Sequence, residues 1–232
     1  QELEKLQQQT RHETRLERIA GRLRQGSGER WTWHPELLDA LRPHRDEVWR
    51  MVRATDQEGT APPHMRPQLL LALHRMGEEE AMPATYRIFQ DGGAEGVEAG
   101  RVLVQMGAEA AQLLGEKLPN AGPHLRRRAV DLLASMGRHG RETLARVAAT
   151  DGGSLRARCI GALAEQGGPA VPALLALMES DEADLRRAAG DALVNVGPDA
   201  ASGVIARIPD MPAQVRAFAV RCLQEIGPQV LP

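Results

Sequence analysis

Apolar and polar positions recur along the chain with a period of thirty residues. Gly77, Gly107, Gly137, Gly167, Gly197 and Gly227 mark that period without a slip. Four positions before each glycine stands Leu73, Leu103, Leu133, Leu163, Leu193 or Leu223, and eight before it stands Leu69, Ala99, Ala129, Cys159, Ala189 or Ala219. The position just before is Met76, Met106, Met136, Gln166, Val196 or Ile226, apolar in all but one case. Offsets of one, four, eight and twelve trace one stripe of a helix with 3.6 residues per turn, so each block predicts an amphipathic helix that runs up to its glycine. The glycine is the stop, because a residue without Cβ adopts the left-handed conformation of a helix end most easily.

A second helix is predicted after each glycine, with apolar positions four, seven, eight and eleven residues on. Examples are Val171, Leu174, Leu175 and Met178, then Ala201, Val204, Ile205 and Ile208. Pro169 and Pro198 fall near its start, where a missing amide hydrogen is harmless. Polar turns such as Asp151-Gly152-Gly153 and Ser180-Asp181-Glu182 close each block, so the block is a helical hairpin. Neither helix can bury its stripe alone, whereas stacked neighbours share a continuous core. Residues 62–232 supply five full repeats and a partial sixth, above the three that such an array needs. The fold class expected is all-α: an α-solenoid of stacked antiparallel hairpins, with no strand.

The stretches LRRAAGDALVNVGPDA (Leu185 to Ala200) and LRARCIGALAEQGGPAVPALLALM (Leu155 to Met178) resemble HEAT-like repeats of the short type found in phycobilin lyases. The resemblance covers roughly residues 62–232 and is specific for fold, not for activity. It implies a protein-binding scaffold more often than an enzyme. It also implies an Asp/Arg ladder that ties each turn to its neighbour. Arginine recurs eleven residues before the glycine, at Arg66, Arg126, Arg156, Arg186 and Arg216, with Gly96 the exception, and Asp151, Asp181 and Asp210 precede three of these. Charge-assisted hydrogen bonds from each arginine to an Asp or a turn carbonyl would form such a ladder; a ligand-binding stripe is the competing role.

The first sixty residues differ. Residues 2–25 predict one charged helix, and Leu6, Leu16, Ala20 and Leu23 fit a heptad seam that Gln9 and Glu13 interrupt. A homodimer through this helix and a solvated helix leaning on the first repeat both remain open. Gly26-Ser27-Gly28 reads as a linker, setting residues 1–28 apart. Residues 29–61 read as a diverged capping hairpin, broken at Pro43 and followed by a loop through Thr60-Ala61-Pro62-Pro63. All three tryptophans fall here: Trp49 is expected in the core, and Trp31 and Trp33, which alternate in a loop so that one can pack while the other is exposed, form a candidate contact pair.

Composition narrows the chemistry. The 232 residues are 42% hydrophobic and 26% charged, which excludes a disordered or collagen-like chain. With 29 Lys+Arg against 31 Asp+Glu, the net charge of -2 provides no global attraction to nucleic acid or anionic membrane. Lysine occurs only at Lys5 and Lys117, a bias toward arginine expected from a GC-rich genome. No apolar run approaches the length of a membrane-spanning helix. The chain begins with Gln1, as a fragment or processed form would, so an upstream signal or anchor is left open and the compartment is undetermined, with a lean to the cytoplasm. Cys159 and Cys222 sit at apolar helix positions two repeats apart, beyond disulfide reach, and are expected as buried thiols.

No HExxH, CxxC or close His/Cys set provides a metal site, and a lone His12-Glu13 does not match the several His-Glu dipeptides of HEAT-like deoxyhypusine hydroxylases. Gly152-Gly153-Ser154 and Gly167-Gly168-Pro169 follow no strand and make no phosphate loop, and there is no GxSxG elbow. No catalytic residue, cofactor or metal is expected. The function expected is a non-catalytic scaffold that binds a partner protein or peptide along its concave face. That face is lined by the second helices, with Tyr86, Arg87, Glu116, Lys117, Arg146 and Arg207 as contact candidates, and Leu177 as a packing residue. Two rivals are a bilin-lyase-like subunit holding a tetrapyrrole and a DNA-binding array using Arg126-Arg127-Arg128 with Arg101, Arg156 and Arg158.

Overall fold

The computed structural model describes Trp33, residues 35–58 and residues 63–227. The charged N-terminal helix, the Gly26-Ser27-Gly28 linker, Trp31, the loop at 59–62 and the start of the last second helix lie outside the described residues. Among those described, every regular element is helical: thirteen α-helices joined by turns and short 3-10 segments, with no strand. None is long and apolar enough to cross a membrane. The chain divides into two compact units, one ending at Met106 and the other beginning at Gly107, a boundary that falls at a repeat glycine.

The first unit contains α1 (Pro35–Leu41), α2 (Arg45–Glu58), α3 (Met65–Arg75), α4 (Ala81–Asp91) and α5 (Gly93–Met106). Pro43 ends α1 in a 3-10 turn, Arg42–His44, because its ring cannot continue the α-helical ladder. Helix α3 is the centre: α2, α4 and α5 all pack on it, and α4 packs on α5. Its Leu69, Leu70, Leu71 and Leu73 are wholly buried. Of the tryptophans, Trp33 packs, and Trp49, expected in the core, is only partly buried. Trp33 is only 3% exposed, and its carbonyl accepts a hydrogen bond from Arg75 Nη1 at 3.3 Å. Trp49 is half-buried and donates its indole N–H to Glu78 Oε2 at 3.3 Å.

The second unit contains α6 (Ala108–Lys117), α7 (Pro123–Ser135), α8 (Gly137–Thr150), α9 (Gly153–Ala164), α10 (Val171–Met178), α11 (Ala183–Val196), α12 (Pro198–Arg207) and α13 (Ala213–Ile226). Each helix packs on its sequence neighbour. In addition α7, α9, α11 and α13 pack in succession, and so do α6, α8, α10 and α12. The six periodic glycines all adopt positive φ, between 59° and 118°, but Gly107, Gly167, Gly197 and Gly227 combine it with an extended ψ rather than the left-handed helical one expected, a region that is still open chiefly to glycine. The leucines four residues before them are the deepest side chains, with Leu73, Leu103, Leu133, Leu163 and Leu193 at 0% exposure. Several helices begin on proline rather than on a hydroxyl cap, α12 at Pro198 among them.

Close approach between helices rests on small residues. Three residues after the glycine stand Ala110, Gly140, Ala170 and Ala200, all buried. A Cβ at Gly140 would overlap the carbonyl oxygen of Leu133, and one at Gly190 would overlap the Phe218 ring.

Candidate protein-interaction surface

The second helices of the second unit keep a common register. Positions three and seven residues after the glycine are buried in all four: Ala110 and Leu114, Gly140 and Leu144, Ala170 and Leu174, Ala200 and Val204. Positions five and nine after it are exposed: Gln112 and Glu116 on α6, Glu142 and Arg146 on α8, Pro172 and Ala176 on α10, Ser202 and Ala206 on α12. Lys117 and Arg207 are exposed at the next position, where Val147 and Leu177 are buried.

The first unit departs from this register, and the departure corrects the expectation for Tyr86. Helix α4 begins only at Ala81, after a turn through Gly77–Glu80, and its buried positions all fall one residue later than elsewhere: Ala81, Thr85, Ile88 and Phe89. Tyr86 therefore occupies a packing position. It is 6% exposed, its ring lies 6.4 Å from that of Phe89, and burial raises its hydroxyl pKa above the ordinary value. Arg87 takes the exposed place instead. Of the remaining contact candidates, Glu116, Lys117, Arg146 and Arg207 are exposed as expected of a contact row, Trp33 is core, and Trp31 lies outside the described residues.

Ion pairs fix part of the exposed row. Arg207 bridges from α12 to the end of α10, with Nε 2.7 Å from Glu179 Oε1 and Nη2 3.2 Å from Oε2. The hydrogen bond to Glu179 raises the Arg207 pKa. On α8, Arg138 Nε donates to Glu142 Oε1 at 2.7 Å, and that bond holds the Glu142 carboxyl below its usual range. Glu116 accepts from Gln112 at 2.9 Å.

The arginine column acts mainly on main-chain carbonyls. Arg126 donates to Leu118 O (3.2 Å) and Pro119 O (2.7 Å), Arg186 to Ser180 O (2.7 Å), and Arg216 to Met211 O (3.1 Å). Arg156 donates to Ala148 O at 3.0 Å and Asp151 O at 2.7 Å. These carbonyls lie at the end of the preceding second helix or in its turn, where the helix leaves them without intrahelical partners and where a cation is favoured. The expected aspartates are corrected: among the described residues no column arginine reaches the carboxylate of Asp151, Asp181 or Asp210. Glutamates take that place. Arg66 grips Glu95 with Nε–Oε1 at 2.7 Å and Nη2–Oε2 at 2.6 Å. Arg156 grips Glu182 through both nitrogens, with Nη2–Oε2 at 2.9 Å. That pairing raises the Arg156 pKa and lowers the Glu182 pKa. Glu95 and Glu182 share no place in the period, so the sequence carries no column that would reveal them.

The arginines considered for nucleic acid are partly engaged within the protein. Arg126 and Arg156 are engaged as above, Arg101 donates to Glu98 at 2.7 Å, and the exposed members are Arg101, Arg127 and Arg158. Among the described residues no group of three or more His, Cys, Asp or Glu side chains is gathered to hold a metal ion.

Both cysteines are free and buried. Burial pushes the Cys159 thiol up to about 12 and the Cys222 thiol up to about 11. A thiol harder to ionise when folded stabilises the fold fully below pH 9, and that contribution drains away as pH rises toward 11–12. Only the thiolate reacts quickly. Iodoacetamide at neutral pH is therefore expected to label neither cysteine until the helices open, with both becoming reactive across the urea unfolding transition. Stoichiometric labelling of the native protein would contradict their burial.

No protein-family model matches this chain, and no curated protein matches it either.

Proposed function

We propose that the protein is an α-solenoid scaffold, akin to short HEAT-like repeats, that binds a helix or peptide of a partner protein without catalysis. The support for the solenoid is the double succession of packing, first helices on first helices and second on second, which stacks hairpins as a repeat array does. The binding face is the exposed side of the second helices α8, α10 and α12. It carries a low floor of small residues, Pro172 and Ala176 on α10 and Ser202 and Ala206 on α12, at equivalent places on adjacent helices. Charged groups edge it: Glu142, Arg146, and the Arg207–Glu179 pair. A shallow apolar floor between charged edges suits an amphipathic helix laid across the second helices, with the edges setting its register and orientation. The observation that supports this function is the repetition of small exposed side chains, Pro172 and Ala176 then Ser202 and Ala206, at one register on the two successive helices α10 and α12.

The double substitution Ala176→Arg and Ala206→Glu is expected to reduce recovery of bound protein from a native extract at least tenfold, about 1.4 kcal/mol of affinity. Both sites are exposed, so thermal stability should change little, within about 0.5 kcal/mol. An unchanged set and amount of retained proteins, measured by quantitative mass spectrometry, would remove this face from the function. A tetrapyrrole or duplex DNA retained with equal strength by both forms would favour the rival assignments.

A further inference from the structure

We propose that a hollow on the first unit, between α2 and the start of α4, receives the guanidinium of an arginine side chain from a partner peptide. The hollow has a volume of about 290 Å³ and is lined by Asp46, Trp49, Arg50, Arg53 and Glu80. The four residues from α2 stand at i, i+3, i+4 and i+7, one face of a helix. Glu80 stands just before the first residue of α4, and α3 packs against both helices, which holds the two walls together. The site lies wholly in the first unit and does not depend on the α8–α10–α12 face.

Each lining group has a distinct state. The indole N–H of Trp49 is engaged by Glu78 Oε2 at 3.3 Å, and Glu78 Oε1 is itself 3.5 Å from Arg45 Nη1. What the ring still offers the hollow is its π system. Arg50 is drawn to Glu47, 3.3 Å away. Among the described residues, the side chains of Asp46, Glu80 and Arg53 have neither a hydrogen bond nor an ion pair. The hollow therefore presents an indole, two uncommitted carboxylates and one uncommitted guanidinium.

An indole flanked by carboxylates attracts a cation, and tryptophan is the strongest of the aromatic partners. Guanidinium suits the site better than ammonium, since it is planar, more weakly hydrated, and able to stack on a ring while its N–H edge meets carboxylates. The volume fits one side chain rather than a folded element. Arg53, one turn beyond Trp49, repels a second cation and attracts an acid. A run of basic residues is thus disfavoured, and an arginine followed by an acidic residue is preferred.

The test uses the full chain and blocked tetrapeptides containing Arg-Glu, citrulline-Glu, Lys-Glu or Glu-Glu. The readout is the Trp49 indole resonance, assigned with Trp49→Phe. The Arg-Glu peptide should shift it saturably, with the uncharged citrulline peptide at least tenfold weaker and the lysine peptide between them. Asp46→Asn with Glu80→Gln should weaken Arg-Glu binding about tenfold, equivalent to about 1.4 kcal/mol; both residues are exposed, and an unchanged circular dichroism spectrum verifies folding. Equal binding of citrulline, tighter binding of Glu-Glu that Arg53→Gln abolishes, or no shift with any peptide at millimolar concentration would each overturn the proposal.

Discussion

Replacing Leu163 by alanine is expected to lower the stability of the protein by about 2–5 kcal/mol. Leu163 lies in the last turn of α9 with 0% of its surface exposed, and α9 packs on α7, α8, α10 and α11. Truncation removes apolar contact on every side and leaves a cavity that four helices would have to move together to fill. The loss should appear as a lower urea midpoint with an unchanged slope. Because helices in such a stack depend chiefly on near neighbours, hydrogen exchange should accelerate most in α7–α11 and least in the first unit. Val97→Ala on α5 is the control, since Val97 is 55% exposed and should change stability by no more than about 0.5 kcal/mol. A loss below about 1 kcal/mol at Leu163 would mean that the leucine column is not the core.

The positions that make this prediction possible are legible in the sequence because the backbone dictates them. A helix stop favours a glycine at positive φ, and the crossing beside it demands a leucine facing inward, so both recur at fixed spacing. All six glycines have the positive φ that the period implies, and Leu177 packs as expected, at 5% exposure. The surface is less legible, for two physical reasons. One is register: a longer turn after Gly77 rotates α4 by one residue, about 100° around the helix axis. That rotation buries Tyr86 and exposes Arg87, although counting from the glycine places both on the outer row. The other is reach. Arginine is long enough to pair with whichever carboxylate stands nearby, so Arg66 finds Glu95 and Arg156 finds Glu182 without any periodic signal. The short aspartates that looked periodic contribute a main-chain carbonyl at Asp151 and no carboxylate contact to the column.

The tryptophans show the same limit. Their clustering in residues 29–61 is visible in the sequence, but which ring is buried depends on where α1 and α2 turn. Trp33 precedes α1 and folds inward, whereas Trp49 sits on the face of α2 that carries Asp46 and Arg53. Hydrophobicity ranks the two equally, and only the helix phase separates them.

The same glycine-to-alanine change is expected to have opposite signs at Gly140 and Gly161. Both are in helix interiors, where alanine is intrinsically better by about 0.5–1 kcal/mol because glycine loses more backbone freedom on folding. At Gly161 a Cβ would meet nothing within 4 Å, so Gly161→Ala should stabilise by roughly that amount. At Gly140 the new Cβ would overlap the carbonyl oxygen and carbon of Leu133 and approach Met136 Cβ at 3.2 Å. The obstacle is main chain, held by the end of α7 and unable to rotate aside as a side chain would. Helix α8 must therefore move away from α7, loosening the packing around Leu133 and Leu144, both at 0% exposure. Overpacking of this kind costs about 1–3 kcal/mol and more where backbone is displaced, which outweighs the propensity gain. Gly140→Ala should thus lower the urea midpoint while Gly161→Ala raises it. A shift of the same sign at both would show that α8 does not cross α7 on a glycine contact.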